Sequence, residues 1–190
     1  MRRFPAVCDE PCWLAHRSLG YRRVPLSVLH WLLDPSSLTG RIRSACGAGF
    51  SVRVLAQGWA RPMINEARLL RMRPQRLALL REVHLLCGGR PWVFARTVIP
   101  QATLSGPERR LARLGNRPLG AVLFADPHMR RGEVQVTRLQ PGDAVHGHVF
   151  ADGDGPPVWG RRSLFRLNDK PLLVSEFFLP EMLAAAPEPA

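Results

Sequence analysis

Lysine is almost absent from this chain: Lys170 stands alone among 27 lysine and arginine residues. The formal net charge of +12 is therefore carried by arginine, scattered through the sequence rather than gathered in one stripe. With so much Ala, Gly and Pro beside it, that distribution fits a biased base composition as well as a selected binding surface. It lowers the weight of nucleic acid or an anionic membrane as a partner. Zinc-finger spacing, an RNA-binding aromatic signature and a basic heptad helix are all missing, so nothing specifies DNA or RNA recognition. Apolar runs of membrane-spanning length are also missing, and MRRFPAVCDEPCWLAHRS has no apolar stretch long enough for a signal sequence. The expectation is a soluble cytoplasmic protein with no nucleic-acid partner and no stable membrane insertion. Cysteine is scarce too. Cys8, Cys12, Cys46 and Cys87 are even in number, but 190 residues need no staples and Cys87 falls in an expected strand, so reduced thiols are expected. Cys8 and Cys12 have no second pair at ligand spacing, and no metal site is expected from them.

What the chain does have is an apolar fraction of 46%, and a length suited to one domain with a sizeable core. We expect a lead-in over 1–24, a domain over 25–181 and a tail over 182–190. The organising stretch is Leu77–Pro100. Two apolar runs flank Gly88-Gly89, a pair suited to the positive φ of a tight hairpin turn. Counting back from that turn sets Leu85 opposite Trp92, Val83 opposite Phe94 and Arg81 opposite Arg96, all on one face. Two opposed guanidinium groups in an apolar layer repel and are costly to desolvate, so the pattern asks for an anion. Against this stands the ordinary fate of a strand arginine, which runs its stem along the sheet and puts its head in water.

Elsewhere Leu26–Leu33 reads as a short buried helix opened by Pro25, and a second helical turn follows Ser37-Leu38-Thr39 and ends near Gly47. Phe50–Gln57 alternates as a half-buried strand. A helical turn is expected at 65–70, and a short amphipathic helix ends at Gly115. Residues 121–124 read as helix or strand, and Val134–Leu139 as a strand. The Gly-, Asp- and Pro-rich run 140–157 reads as an excursion with a hairpin at 144–151, where His146 and His148 would share a face. Without a third ligand at useful spacing, an exposed pair is the expectation. Trp159–Leu167 and Pro171–Pro180 form a last strand pair around Asn168-Asp169-Lys170. In it Leu172, Val174, Glu176 and Phe178 share a face, so Glu176 interrupts an apolar strand face as Arg81 does. Both faces of this strand are largely apolar, which leaves the orientation of Glu176 open. If the strands share a sheet, Arg81 and Glu176 around a common cavity is the economical arrangement.

These residues resemble the chorismate–pyruvate lyase family, which opens the bacterial ubiquinone pathway. The matching pieces are Trp31-Leu32-Leu33-Asp34 with Ser37-Leu38-Thr39, Leu80-Arg81-Glu82-Val83, Pro91-Trp92-Val93, Ala95-Arg96-Thr97-Val98-Ile99-Pro100 and Leu104-Ser105-Gly106-Pro107-Glu108. They continue through Leu114-Gly115 with Arg117-Pro118-Leu119-Gly120, Trp159-Gly160-Arg161-Arg162-Ser163, and Pro171-Leu172-Leu173-Val174-Ser175-Glu176 with Phe178-Leu179-Pro180. The resemblance implies a single α+β domain, an antiparallel sheet with helices on one side enclosing a buried cavity for a small aromatic acid. It implies a carbon–oxygen lyase that converts chorismate to 4-hydroxybenzoate and pyruvate with neither cofactor nor metal; a monomer is the expectation. In the family, an arginine matching Arg81 and main-chain groups matching Leu38 and Leu119 hold the ring carboxylate, and a glutamate matching Glu176 meets the ring hydroxyl. Glu176 either orients that hydroxyl or takes part in proton transfer. Arg96 is expected to support Arg81 without touching the ligand. Two readings compete: a non-catalytic sensor of aromatic acids, since similar domains serve bacterial transcription regulators, and a nucleic-acid adaptor.

Overall fold

A computed structural model describes residues 10–18, 24–73, 75–150, 153 and 155–185. Its framework is an eight-stranded antiparallel sheet, made of β1 (Leu14–Ala15), β2 (Phe50–Ala60), β3 (Ala78–Cys87), β4 (Arg90–Pro100), β5 (Arg130–Arg131), β6 (Gln135–Leu139), β7 (Val158–Leu167) and β8 (Lys170–Phe178). The order across the sheet is β1-β6-β7-β8-β4-β3-β2, with β5 paired to β7. Both hairpins expected from turn chemistry form, each around its expected turn. Gly88 and Gly89 have φ of 57° and 80°, and Asn168 and Asp169 have φ of 48° and 64°, the doubly positive backbone that matches strand twist.

The register of the first hairpin differs from the count. Cys87 faces Arg90 as expected, but Leu86 faces Pro91 and Leu85 faces Val93, leaving Trp92 as an extra residue. Pro91 has no N–H to give to a ladder, and strands accommodate proline at such bulges. One inserted residue moves all that follows to the other face. Arg81 is therefore opposite Thr97, and Arg96 is opposite Glu82.

Helices α1 (Leu26–Leu32), α2 (Leu38–Cys46) and α4 (Leu119–Phe124) cover the face that carries Arg81. The Asp34 carboxylate, accepting from the Ser36 amide at 2.6 Å, turns the chain after α1, and Ser37 caps α2 by accepting from the Gly40 amide. Helices α3 (Ile64–Leu69) and α5 (His146–Val149) lie on the opposite face, where Glu66 meets Arg96 and Val149 packs with Phe94 and Phe177. Helical cover is thus two-sided, and a chamber lies on the side of Arg81.

Further expectations are corrected. Part of the lead-in is tied down: Leu14–Ala15 pairs with β6, Glu10 accepts from the amides of Ile64 and Asn65, and Trp13 packs on Phe177. Cys46 and Cys87 form a disulfide between the end of α2 and the end of β3, with Cα atoms 5.5 Å apart. Cys12 is free, and Cys8 lies outside the described residues. Residues 146–149 are a helical turn rather than a hairpin strand, and α6 (Pro180–Ala185) extends the fold into the expected tail by burying Met182 completely. His146 faces the Pro156 carbonyl at 3.2 Å, while His148 faces Glu82.

Candidate active site

Cross-strand pairing fixes where Arg81 and Glu176 stand. Val83, Ala95 and Glu176 form one row across β3, β4 and β8, and Arg81, Thr97 and Val174 form the next row on the same face. Two strand spacings of about 4.8 Å and two residues of about 3.4 Å put the two backbones roughly 12 Å apart. The space between is a narrow chamber lined from both the sheet and its helical cover. Its walls are mainly apolar: Val52, Val83, Leu85, Phe165 and Val174 from the sheet, with Leu123 above.

Arg81 is 2% exposed and meets no carboxylate among the described residues. One terminal nitrogen, Nη2, donates to the main-chain oxygens of Gly115 at 2.9 Å and Arg117 at 3.2 Å, while Nε is buried with no acceptor. Burial without a counter-charge holds the guanidinium below its usual range. Such a buried orphan donor on a residue that lines the chamber is what an anionic ligand satisfies. Leu38 and Leu119 line the same chamber as the first residues of α2 and α4. Their amides have no acceptor within their own helices. The two helix starts pack tightly: a Cβ placed on Gly120 would come within 2.7 Å of Thr39 Oγ1, so glycine there lets the two covers meet.

At the other end Glu176 accepts from Arg161 Nε at 2.7 Å. Arg161, 1% exposed, also donates through Nη1 to the carbonyls of Trp31 and Asp34, each at 2.8 Å. The glutamate is thereby locked in place while its other oxygen, Oε1, takes no part in that pair. Arg131 completes this end of the chamber.

A family model described as chorismate lyase matches residues 9–186. The chain belongs to the chorismate lyase family. It is 48% identical over 160 residues to a probable chorismate pyruvate-lyase of Methylococcus capsulatus, covering 84% of this chain and 98% of that protein. It is 42% identical over 186 residues to a probable chorismate pyruvate-lyase of Marinobacter nauticus, covering 92% and 94%. Among solved structures, the C-terminal domain of the histidine utilization repressor from Pseudomonas syringae pv. tomato shares the fold, with a TM-score of 0.53 at 12% identity over 70% of this chain and 93% of that one.

Of the site residues expected for a chorismate lyase family member, Arg81, Glu176, Leu38 and Leu119 all line one chamber. Arg96 does not join them. It lies on the opposite face, where Nε and Nη2 donate to the two oxygens of Glu66 at 2.8 and 3.1 Å and Nη1 donates to Glu82 at 2.5 Å. Support of Arg81 by Arg96 was tied to the unbulged register, and the bulge removes its geometric basis. Sequence reasoning passed over Arg161 and Arg131. Arg161 carried a usable signal: Trp159, Arg161, Ser163 and Phe165 alternate on one strand face, an arginine among apolar neighbours just as Arg81 is. Arg131, in a strand of two residues, carried none.

Proposed function

We propose that this protein is a chorismate pyruvate-lyase, eliminating pyruvate from chorismate to give 4-hydroxybenzoate and so committing chorismate to ubiquinone biosynthesis. The observation that supports this best is the buried, carboxylate-free Arg81 facing Glu176 across one apolar chamber. A ring acid laid between them puts its carboxylate on Arg81 and on the amides of Leu38 and Leu119, and its ring hydroxyl on Glu176.

The reaction needs little more than this. The bond between the ring and the enolpyruvyl oxygen breaks, the neighbouring carbon that bears the hydroxyl loses its proton, and the C–H electrons complete the aromatic ring. The departing enolate takes a proton on its methylene carbon and becomes pyruvate. Aromatisation drives the step and no electrons are exchanged with a partner, so the chemistry calls for no redox cofactor or metal. The protein's work is to fix the ring conformation, exclude water and hold the hydroxyl-bearing carbon for deprotonation. Glu176, steadied by Arg161, stands where it orients the hydroxyl or accepts that proton. Because Arg81 also holds the main-chain oxygens of Gly115 and Arg117, ligand and cover are coupled, and product release is slow.

The protein is expected to act in the cytoplasm as a monomer of 21.3 kDa, which sedimentation of the purified chain checks. Incubation with chorismate should yield 4-hydroxybenzoate and pyruvate in equal amounts. The fold shared with a repressor domain gives the alternative its footing. An aromatic-acid sensor would bind 4-hydroxybenzoate and leave chorismate intact.

A further inference from the structure

The charges around the chamber do not cancel, and the surplus points to a second anion site, an inference that rests on the activity proposed above. The charged lining residues are Arg81, Arg131 and Arg161 against Glu176 alone. Glu176 is matched by Arg161, whose remaining contacts go to the carbonyls of Trp31 and Asp34. Arg81 stands at the far end, where one carboxylate satisfies it. Arg131 is left over.

Its guanidinium is held in place without being neutralised. Nε donates to Ser163 Oγ at 3.0 Å, and Nη1 donates to the carbonyls of Asp34 at 3.1 Å and Pro35 at 3.2 Å, while Nη2 makes no such bond. Among the described residues no carboxylate comes within ion-pair distance of it; the Asp34 carboxylate is engaged by Ser36 and Arg41. Burial, reinforced by the neighbouring charge of Arg161, pushes Arg131 below the usual arginine range despite the attraction of Glu176 and Asp34. Its position is also specific. Ser163, Val174, Thr97 and Arg81 form one cross-strand row, and Arg131, clasping Ser163, closes that row opposite Arg81.

We propose that Arg131 receives the second carboxylate of the substrate, the one on the enolpyruvyl group. Two unmatched cations at the two ends of the chamber then answer the two negative charges of chorismate. The enolpyruvyl ether sits on the ring carbon next to the one bearing the hydroxyl, so a hydroxyl held by Glu176 places that side chain at the Arg161–Arg131 end. As the carbon–oxygen bond breaks, its electron pair goes to the departing enolate, and Arg131 is the free cation beside that group. Arg131 thus distinguishes substrate from product: chorismate uses both anion sites, 4-hydroxybenzoate only that of Arg81.

The test compares ligands before it compares variants. By calorimetry, 3-(carboxymethoxy)-4-hydroxybenzoate should bind the unaltered protein about 10-fold or more tighter than its neutral amide, 3-(carbamoylmethoxy)-4-hydroxybenzoate. Arg131→Gln should erase that difference, raise KM for chorismate by about 10-fold or more and leave the Kd of 4-hydroxybenzoate within about twofold, with Arg131→Lys restoring part of the loss. Equal binding of diacid and amide by the unaltered protein overturns the proposal, whether or not the Gln variant folds. So does an Arg131→Gln protein that loses 4-hydroxybenzoate as severely as chorismate. A protein that turns over no chorismate removes the proposed activity; one that turns it over yet binds the two ligands equally removes only the role of Arg131.

Discussion

Arg81 and Arg96 lie on neighbouring strands of the same hairpin, both buried, and their surroundings are opposite. Arg96, below the sheet, is wrapped by Glu66 and Glu82. Burial alone would lower its affinity for a proton, but those two carboxylates more than offset it, and its pKa is raised. Arg81, above the sheet, has main-chain oxygens and an unmet Nε, and its pKa is lowered by burial. The difference separates a charge that the fold uses from a charge that the fold reserves. A buried cation with its anions supplied is part of the architecture, whereas one kept in a chamber without them is stabilised only when a ligand arrives.

Removing the supplied pair should have the largest effect. Arg96→Met removes the cation that buried Glu66 and Glu82 share, and urea unfolding should show a loss of roughly 3–5 kcal/mol. If Arg96→Met unfolds no more readily than Arg81→Met, the contrast between the two arginines is void. Next comes Glu176→Gln, which should lower the rate of pyruvate release by about 100-fold or more, with a fall in urea midpoint smaller than that of Arg96→Met because the glutamine keeps an oxygen for Arg161 Nε. Arg81→Met sharpens the comparison from the other side. Affinity for 4-hydroxybenzoate should drop by about 10-fold or more, in line with roughly 1.5–3 kcal/mol for a hydrogen bond to a charged group, with a smaller stability loss than that of Arg96→Met.

The smallest effect concerns acid. Glu108, in the 3-10 segment Gly106–Arg113, accepts from Lys170 and Asn168 at the β7–β8 turn, and these bonds bring its pKa from 4.5 to about 2. A carboxyl whose folded value is depressed adds stability above its unfolded value, and that stability disappears as pH falls from 4.5 through about 2. Lys170→Met should therefore flatten the decline of the urea midpoint over that window and leave chorismate turnover above it unchanged. A midpoint profile indistinguishable from that of the parent would show that this clamp, unlike Arg96, contributes nothing measurable.

Much of this arrangement was legible because short-range rules govern it. Paired glycines at positions 88 and 89, the Asn168-Asp169 turn, Pro25 before α1 and Ser37 before α2 each state their own backbone geometry locally. The identity of Arg81 and Glu176 as polar breaks in apolar faces was legible too. The bulge at Trp92 was not, since whether a strand absorbs a proline by slipping one residue depends on the partners it meets. That single slip is why Arg96 was expected above the sheet and is found below it. The short helices α5 and α6, the pairing of Cys46 with Cys87 and the burial of Met182 likewise depend on packing between segments far apart in sequence.

By itself, then, the chain dictated its hairpins, its first two helices and the two polar breaks, Arg81 and Glu176, in otherwise apolar strand faces, because alternation and turn preference act over a few residues. Which face each strand shows, which arginine receives carboxylates and which is left bare, and the arrival of Arg131 beside Ser163 were decided only in three dimensions. Charge compensation is a property of neighbours in space, and those neighbours come from strands and loops that the sequence keeps apart.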